Sequence, residues 1–331
     1  MKEVINMKIG IPRALLYYYY YPFWKILFEE LGCEVVISDE TNASIVADGS
    51  KVSVSEICVP IKIFNGHVIN LDKKNVDYIF IPQFHKVKKE WYCPKFIGIP
   101  ELVEYSVTNL STPLIVLDYI TKTDMIDSYE VHKPLIEFLS VNKSQLKTAL
   151  KKAKDTQLKF RALSKQGYAI TDIYDHMFKS SPLPEKGNKE ITIALMGYVN
   201  NVYDNFVSMN TISKLKEMGA NIITFDMLDE EIIKIDKNEI KQPFWIFTRK
   251  IYNSARHLIK SSEIDGMIHM TAFGCGPDSI IGKLMEIECE ENNLPFMTVR
   301  VDEHTGDNHV NTRLEAFTDM IKMQKRKGAK A

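Results

Sequence analysis

The sequence has neither a long apolar run nor an excess of charge of one sign. Its 331 residues include 42 Lys and Arg against 43 Asp and Glu, which gives a formal net charge of -1. This balance argues against nucleic acid or an anionic membrane as the main partner, because both select basic surfaces. No apolar segment approaches the ~20 residues that span a bilayer, and the start MKEVINMKIG has no apolar signal-peptide core. We therefore expect a cytoplasmic protein with no nucleic-acid or membrane partner.

Common nucleotide-binding and metal-binding motifs are also missing. The chain has no GxxxxGK[ST] loop and no GxGxxG that opens a helix after a strand. The GCG at 274–276 is followed by Pro277 and Asp278, which do not fit a dinucleotide-binding turn. No CxxC pair occurs either, so any metal site must draw its cysteines from distant parts of the chain. The pattern argues against an ATPase.

What the sequence does contain is a repeated α/β pattern. Apolar strands are predicted at 7–11, 33–40 and 76–82, with a helix at 21–32, and again at 191–197, 220–227 and 264–273, with a helix at 206–219. Gly32 and Gly219 are 187 residues apart, and Asp77 and Asp265 are 188 apart. Strand–helix–strand order predicts two doubly wound parallel sheets with right-handed crossovers.

The segment between the two copies differs in composition. Residues 131–178 are rich in Lys and have a helical period, and 179–190 carry the Ser, Pro and Gly typical of a linker. The predicted organisation is therefore an α/β domain at 1–130 with Cys58 and Cys93, a helical bridge and linker at 131–190, and an α/β domain at 191–331 with Cys275.

Cys93 and Cys275 are expected to follow corresponding strands of the two sheets. Cys275 comes directly after the strand 264–273, and Cys93 lies in the loop after the strand that ends at 82. Ligands of open α/β sheets bind beyond the carboxyl ends of the strands. If the two domains face each other, both thiols can meet in the cleft between them.

The other cysteines differ in their predicted positions. With Ser55 as N-cap, Cys58 falls in the first turn of a helix, where the dipole favours a thiolate, and at the same edge of the sheet. Cys33 opens a strand at the opposite edge, and Cys289 lies among acids on a predicted exposed helix face. We expect both of these to be structural or incidental.

The stretch FGCGPDS, 273–279, places a thiol between two glycines. Gly274 and Gly276 allow backbone amides to approach a bulky metal cluster, and Ser279 can hydrogen-bond a cluster ligand. Three converging thiolates suit either zinc or a [4Fe–4S] cluster with one iron left open. The residues alone also allow Cys275 to be an ordinary turn residue and Cys58 a core thiol.

Five segments together resemble a known family: IGIPRALLYYYYYPFW, EICVPIKIFNGHV, DYIFIPQF with the later CP, FGCGPDS and HTGDNHVNTRLEAF. The chain is similar to the acyl-CoA dehydratase activase-related proteins, within the wider group of 2-hydroxyacyl-CoA dehydratases and double-cubane cluster proteins. The similarity runs along most of the chain and is weakest over 131–190.

This resemblance implies two flavodoxin-like domains with one [4Fe–4S] cluster in the interdomain cleft, bound by Cys58, Cys93 and Cys275. It implies a separate ATP-dependent activator, an ASKHA-type ATPase, as the electron donor, and a small-molecule or acyl-CoA substrate. Related proteins act as paired chains, which implies a homodimer. A double cubane within this chain is not expected, because no second set of cysteines is present.

We therefore expect an iron–sulfur protein of low-potential electron transfer or reductive chemistry. In its enzymatic form it is a 2-hydroxyacyl-CoA dehydratase-like or ATP-dependent reductase component, with Glu56 and His304 as the catalytic groups that handle protons. His304 lies in a loop that is predicted to enter a helix at the capping box TRLE, 312–315. The alternatives are a non-enzymatic electron carrier or accessory protein, and a zinc-binding module.

Overall fold

The computed structural model describes residues 7–187, 189–233, 242–303 and 307–328. The chain divides into two compact units, residues 1–162 and 163–331. Each unit is a mixed α/β structure built on its own sheet of mainly or wholly parallel strands. In the described ranges, no helix is both long and apolar enough to cross a membrane.

The sheet of the first unit has its first strand in the middle. Its strands are β1 (Lys8–Ile11), β2 (Glu34–Ile37), β3 (Tyr78–Val87), β4 (Glu90–Trp91) and β5 (Leu114–Thr121). The order is β2-β1-β3-β5 with all four strands parallel, and the short β4 pairs antiparallel with the end of β3. The core of β3, residues 79–81, is fully buried, as expected for a parallel strand covered on both faces.

Helices cover this sheet. They are α1 (Tyr17–Glu30), α2 (Ala43–Val52), α3 (Val59–Asp72), α4 (Pro94–Ile97), α5 (Ile99–Ser106), α6 (Tyr129–His132), α7 (Leu135–Phe138) and α8 (Lys143–Lys165). The boundary between the two units falls within α8.

The second unit repeats the arrangement with four strands. These are β6 (Ile191–Gly197), β7 (Ala220–Ile223), β8 (Gly266–Ala272) and β9 (Phe296–Val301), all parallel and in the order β7-β6-β8-β9. Its helices are α9 (Ile170–Lys179), α10 (Val199–Tyr203), α11 (Thr211–Glu217), α12 (Glu230–Ile233), α13 (Ile246–Ser261), α14 (Gly276–Glu291) and α15 (Asp307–Gly328), with a 3-10 turn at Phe225–Met227.

Both sheets therefore have the strand order of the flavodoxin-like fold, and the fold class expected from the sequence is confirmed. The aspartates of the predicted repeat have the same role in each unit. An Asp77 carboxylate oxygen accepts from the backbone N–H of Lys8 at 2.7 Å, and one of Asp265 accepts from that of Thr192 at 2.8 Å. Each aspartate ties the start of its unit's third strand to the first strand.

Three local predictions were wrong. The helix expected at 21–32 begins at Tyr17, and it buries the whole tyrosine run and contains Pro22. The segment 312–315 lies inside α15 instead of capping a helix. Cys289 is fully buried beneath α14, where its Sγ lies 4.0 Å from the sulfur of Met267. It sits on the face of the helix opposite to the one that its acidic neighbours suggested.

Candidate functional site

Cys58 is the N-cap residue of α3. Its backbone is extended, and its carbonyl accepts hydrogen bonds from the N–H groups of Ile61 and Lys62 at 3.0 and 3.4 Å. The expectation that Ser55 caps this helix was wrong, because Val59 is the first helical residue and the cysteine itself stands at the cap. α3 then leads to the amino end of β3, so its own start lies toward the carboxyl edge of the sheet.

Cys93 is also an N-cap residue, that of the short helix α4. The β3–β4 hairpin carries the chain back, and the N–H of Tyr92 bonds to the carbonyl of His85 at 2.9 Å. The N–H of Phe96 then bonds to the carbonyl of Cys93 at 3.0 Å. The hairpin is therefore what places this thiol beside the end of β3.

The thiols of Cys58 and Cys93 influence each other. The pKa of Cys93 is raised to about 11, chiefly by burial and to a lesser extent by charge on Cys58, which lies within electrostatic range in the same unit. Burial also raises the pKa of Cys58. Backbone N–H groups and the Lys95 ammonium lower the pKa of both thiols, although by less than burial raises it. Two neighbouring thiols of this kind become thiolates together only when a cation compensates their charge.

A small apolar pocket lies at the carboxyl end of β1 and beside the middle of β3. Its walls include Ile11, Pro82 and Phe84 from these strands, Phe64 from α3 and Phe96 from α4. The last two belong to the helices that carry Cys58 and Cys93. Neither thiol lines the pocket itself. The pocket lies beyond the carboxyl end of β1, the side on which flavodoxin-like sheets bind ligands. No sequence pattern predicted this pocket, because its residues come from four separate segments.

Cys275 is the N-cap residue of α14 in the second unit. Gly274 has a φ of 77°, a left-handed conformation that favours glycine, and it turns the chain from β8 into the helix. Gly276 has no such constraint, since a Cβ built on it would meet no atom within 4 Å. The hydroxyl of Ser279 donates to the carbonyl of Cys275 at 2.8 Å. Within the described chain, the glycine at 276 thus leaves open space beside the thiol.

A buried pair holds this helix start in place. Nε2 of His269 on β8 lies 3.1 Å from Oδ1 of Asp278 in the first turn of α14, and both side chains are almost fully buried. Gly282 lets the helix approach the imidazole, because a Cβ there would lie 2.6 Å from Nδ1 of His269. Sequence reasoning missed this pair: Asp278 reads as a capping residue, and His269 is hidden in an apolar strand.

The five cysteines therefore form two classes. Cys58, Cys93 and Cys275 are partly exposed, and each caps a helix that has a proline in its first two positions. Cys33 and Cys289 are buried, and burial raises the pKa of each to about 12. Among the described residues, no three His, Cys, Asp or Glu side chains are grouped closely enough to hold a metal ion.

Of the two residues expected to handle protons, only Glu56 belongs to the described residues. Its side chain is exposed, and its pKa is lowered, chiefly by a hydrogen bond from Ser55. It is therefore a carboxylate at neutral pH, which can accept a proton but has none to donate. His304 lies outside the described residues.

Comparison with known protein families shows to which family the chain belongs. The model of the CoA enzyme activase uncharacterised domain (DUF2229) matches residues 8–228, about two thirds of the 331 residues. The chain belongs to this family. The family's match covers the first unit, with Cys58 and Cys93, and the first sheet strands of the second.

A second family model covers most of the second unit. The model of 2-hydroxyglutaryl-CoA dehydratase, D-component, matches residues 169–321, a range that includes Cys275 and its helix. The chain is thus an acyl-CoA dehydratase/activase-related protein, as its sequence motifs indicated. No curated protein matches the chain.

Proposed function

We propose that Cys58, Cys93 and Cys275 together bind one [4Fe–4S] cluster, and that the protein acts in low-potential electron transfer or reductive chemistry. One observation carries the proposal: these three thiols share the N-cap position of a helix with an early proline, and the two buried thiols do not. The match to a dehydratase component, whose family is associated with iron–sulfur proteins, supports the same conclusion.

The shared N-cap position suits an anionic cluster. The first N–H groups of a helix have no partner within the helix, and they favour negative charge beside them. A proline in the first turn fixes the backbone conformation there. The N–H that proline lacks would have had no partner within the helix, so its absence costs no helical hydrogen bond. Thiolates at such positions are stabilised, as are the cluster sulfides that they bind.

The donor set also fits the group. Charge on Cys58 disfavours ionisation of Cys93, so the two thiols need a cation to ionise together, and iron would supply it. Gly276 leaves free space at the third thiol. Three cysteines are one fewer than the usual number for a cubane, so one iron would take a ligand other than cysteine from this chain.

When bound, the cluster supplies one-electron transfer at low potential. The surrounding protein groups have separate roles in this proposal. Lys95 places positive charge near two of the thiols, burial keeps water from these two thiols, and the Glu56 carboxylate accepts a proton. We propose a separate ATP-dependent activator as the electron donor, which the activase-related family supports. An acyl-CoA is the substrate class that the dehydratase match favours.

The test is to prepare the full chain without oxygen, reconstitute it with iron and sulfide, and measure metal content and absorbance. We expect a brown protein with about four iron per chain, the content of one cubane. Replacing Cys58, Cys93 or Cys275 with Ser, one at a time, should reduce the iron content and change the spectrum. Cys33→Ser and Cys289→Ser are the matched controls and should retain both. A colourless protein that binds zinc, or loss of iron in the two controls alone, would refute the proposal.

A further inference from the structure

Three hydrogen bonds link side chains in the aromatic core of the first unit. The indole N–H of Trp24 donates to the hydroxyl of Tyr119 at 3.1 Å, and this hydroxyl lies 3.2 Å from Nε2 of His132. Nδ1 of His132 lies 2.8 Å from the carbonyl oxygen of Ser128. Trp24, Tyr119 and His132 are buried, at 1% exposure or less, so water does not compete for these bonds.

The partners of His132 fix the direction of each bond. The carbonyl of Ser128 can only accept, so Nδ1 of His132 carries the imidazole proton. Burial lowers the pKa of His132 to about 4, so the ring is neutral at neutral pH and Nε2 is an acceptor. Because the indole of Trp24 can only donate, the O–H of Tyr119 donates to Nε2. The phenol therefore has a base in position to take its proton.

Aromatic rings in contact connect Tyr119 with the segment that carries Cys93. The ring of Phe84 stacks on that of Tyr119, with centroids 4.8 Å apart. The same ring lies 5.0 Å from the ring of Tyr92, which directly precedes Cys93 in the chain. The ring contacts thus run from the phenol that faces a base to the residue next to a thiol.

We propose that Tyr119 is a redox-active tyrosine, which donates one electron to a thiyl radical at Cys93 and passes its proton to His132. A thiyl radical forms when an oxygen-derived radical removes one electron and the proton from a thiol. In the proposed step the electron reduces the sulfur to a thiolate, and the O–H bond of the phenol breaks as an N–H bond forms at Nε2. A neutral phenoxyl radical and an imidazolium remain, so atoms and charge balance.

His132 distinguishes Tyr119 from Tyr20, which stacks on the same Phe84 ring with centroids 5.4 Å apart. Oxidation makes a phenol strongly acidic, and a positively charged radical in the core is costly unless the proton leaves with the electron. The hydroxyl of Tyr20 donates to the carbonyl of Asp124 at 3.3 Å, and a backbone carbonyl does not take up a proton at neutral pH. Tyr119 is therefore the residue at which the radical should settle.

The transfer would return Cys93 to its reduced form before further oxidation produces sulfinic and sulfonic acids, which thiols do not reverse. It requires the Cys93 thiol and the aromatic core of the first unit. The proposal is therefore independent of whether the chain binds a cluster.

The test produces the thiyl radical at Cys93 with light. In the full-length chain with Cys58→Ser and Cys275→Ser, the remaining cysteines besides Cys93 are buried, so nitrosation should modify Cys93 selectively. A light flash then splits the S–N bond into a thiyl radical and nitric oxide, and rapid freezing traps the products for electron paramagnetic resonance. We expect the spectrum of a tyrosyl radical. Tyr119→Phe in this chain should lose it, and the matched control Tyr20→Phe should retain it.

Two further measurements test the role of His132. His132→Asn should lose the radical although the phenol is still present, because the base is gone; circular dichroism checks that each variant is folded. High-field resonance of the chain with both Tyr119 and His132 should show the g-value shift of a phenoxyl oxygen that accepts hydrogen bonds, and this measurement needs no substitution in the core. Absence of a tyrosyl radical, its survival in Tyr119→Phe or in folded His132→Asn, its loss in folded Tyr20→Phe, or an unshifted g-value would each overturn the proposal.

Discussion

His269 and Asp278 form a buried hydrogen bond of 3.1 Å that ties β8 to the first turn of α14. The other side-chain atoms, Nδ1 of His269 and Oδ2 of Asp278, are buried with no further partner among the described residues. The pair therefore depends on one contact. That contact fixes the start of the helix whose N-cap is Cys275, and the stability of this part of the second unit should respond strongly to its loss.

Asp278→Ala should lower the free energy of unfolding by roughly 3 kcal/mol, because it leaves the His269 imidazole buried and without its partner. Urea unfolding followed by circular dichroism measures the change. Asp278→Asn should cost less, since an amide of the same shape can still bond to the imidazole. Ser279→Ala, one position further on an exposed side, is the control and should stay within about 0.5 kcal/mol of wild type. An Asp278→Ala variant as stable as this control would disprove the role of the pair.

Two glycines of α14 should respond in opposite ways to alanine. Gly282→Ala places a Cβ 2.6 Å from the His269 ring and should destabilise the fold by about 1–3 kcal/mol. Gly276→Ala meets open space and should leave the stability unchanged or slightly raised, because alanine favours the helix. If Gly276 makes room for a cluster, its alanine variant should nevertheless hold less iron. Thermal unfolding and iron content of the same two variants separate these effects, and equal melting temperatures would contradict the first.

Lys95 should promote ionisation of the two thiols of the first unit. Its positive charge lowers the pKa of Cys58 and of Cys93, so Lys95→Gln should raise both. At a fixed pH below these pKa values the thiolate fraction falls, and alkylation of metal-free protein should slow by roughly two- to fivefold. Mass spectrometry can follow each thiol separately. Lys89→Gln, in the exposed hairpin turn, is the control, and an equal effect there would show that Lys95 acts only through the general charge of the surface.

The buried His132 should make the first unit sensitive to acid. Burial lowers its pKa to about 4 from the ordinary 6.5, so the unfolded chain binds a proton that the folded chain excludes as the pH falls through this interval. Stability is then full above pH 6.5 and declines toward pH 4, by up to roughly 3 kcal/mol from this group. His132→Asn should flatten the pH dependence of unfolding between these limits. A slope unchanged by the substitution would show that other groups, such as His67 with its pKa near 3, govern acid unfolding.

The architecture was largely predictable, because parallel strands buried on both faces appear as short apolar runs with helices between them. The bounds predicted for strand β6 agree with those observed. The spacing of Asp77 and Asp265 reflects the same structural role in the two units, since each accepts a hydrogen bond from the first strand. Helix starts were less predictable. Ser55 has the chemistry of a cap, but Pro60 fixes the start of α3 so that Cys58 takes this position.

Contacts between distant segments were not predictable. The position of Cys93, within electrostatic range of Cys58, depends on the β3–β4 hairpin, whose length no local pattern sets. The acidic neighbours of Cys289 suggested an exposed position for it. A helix turns by about 100° per residue, so residues on either side of Cys289 can be exposed while Cys289 itself faces the core. The role of Asp278 required knowledge of which strand residue lies beneath it.

The Asp77 and Asp265 carboxylates stabilise the amino-terminal edges of the two sheets. The helix starts that carry the cysteines lie at the carboxyl-terminal edges. The stabilising aspartates and the cysteines thus lie at opposite ends of the same sheets. Substitution of Asp77 or Asp265 should therefore change the stability of one unit at a time without altering the cysteine-bearing helix starts.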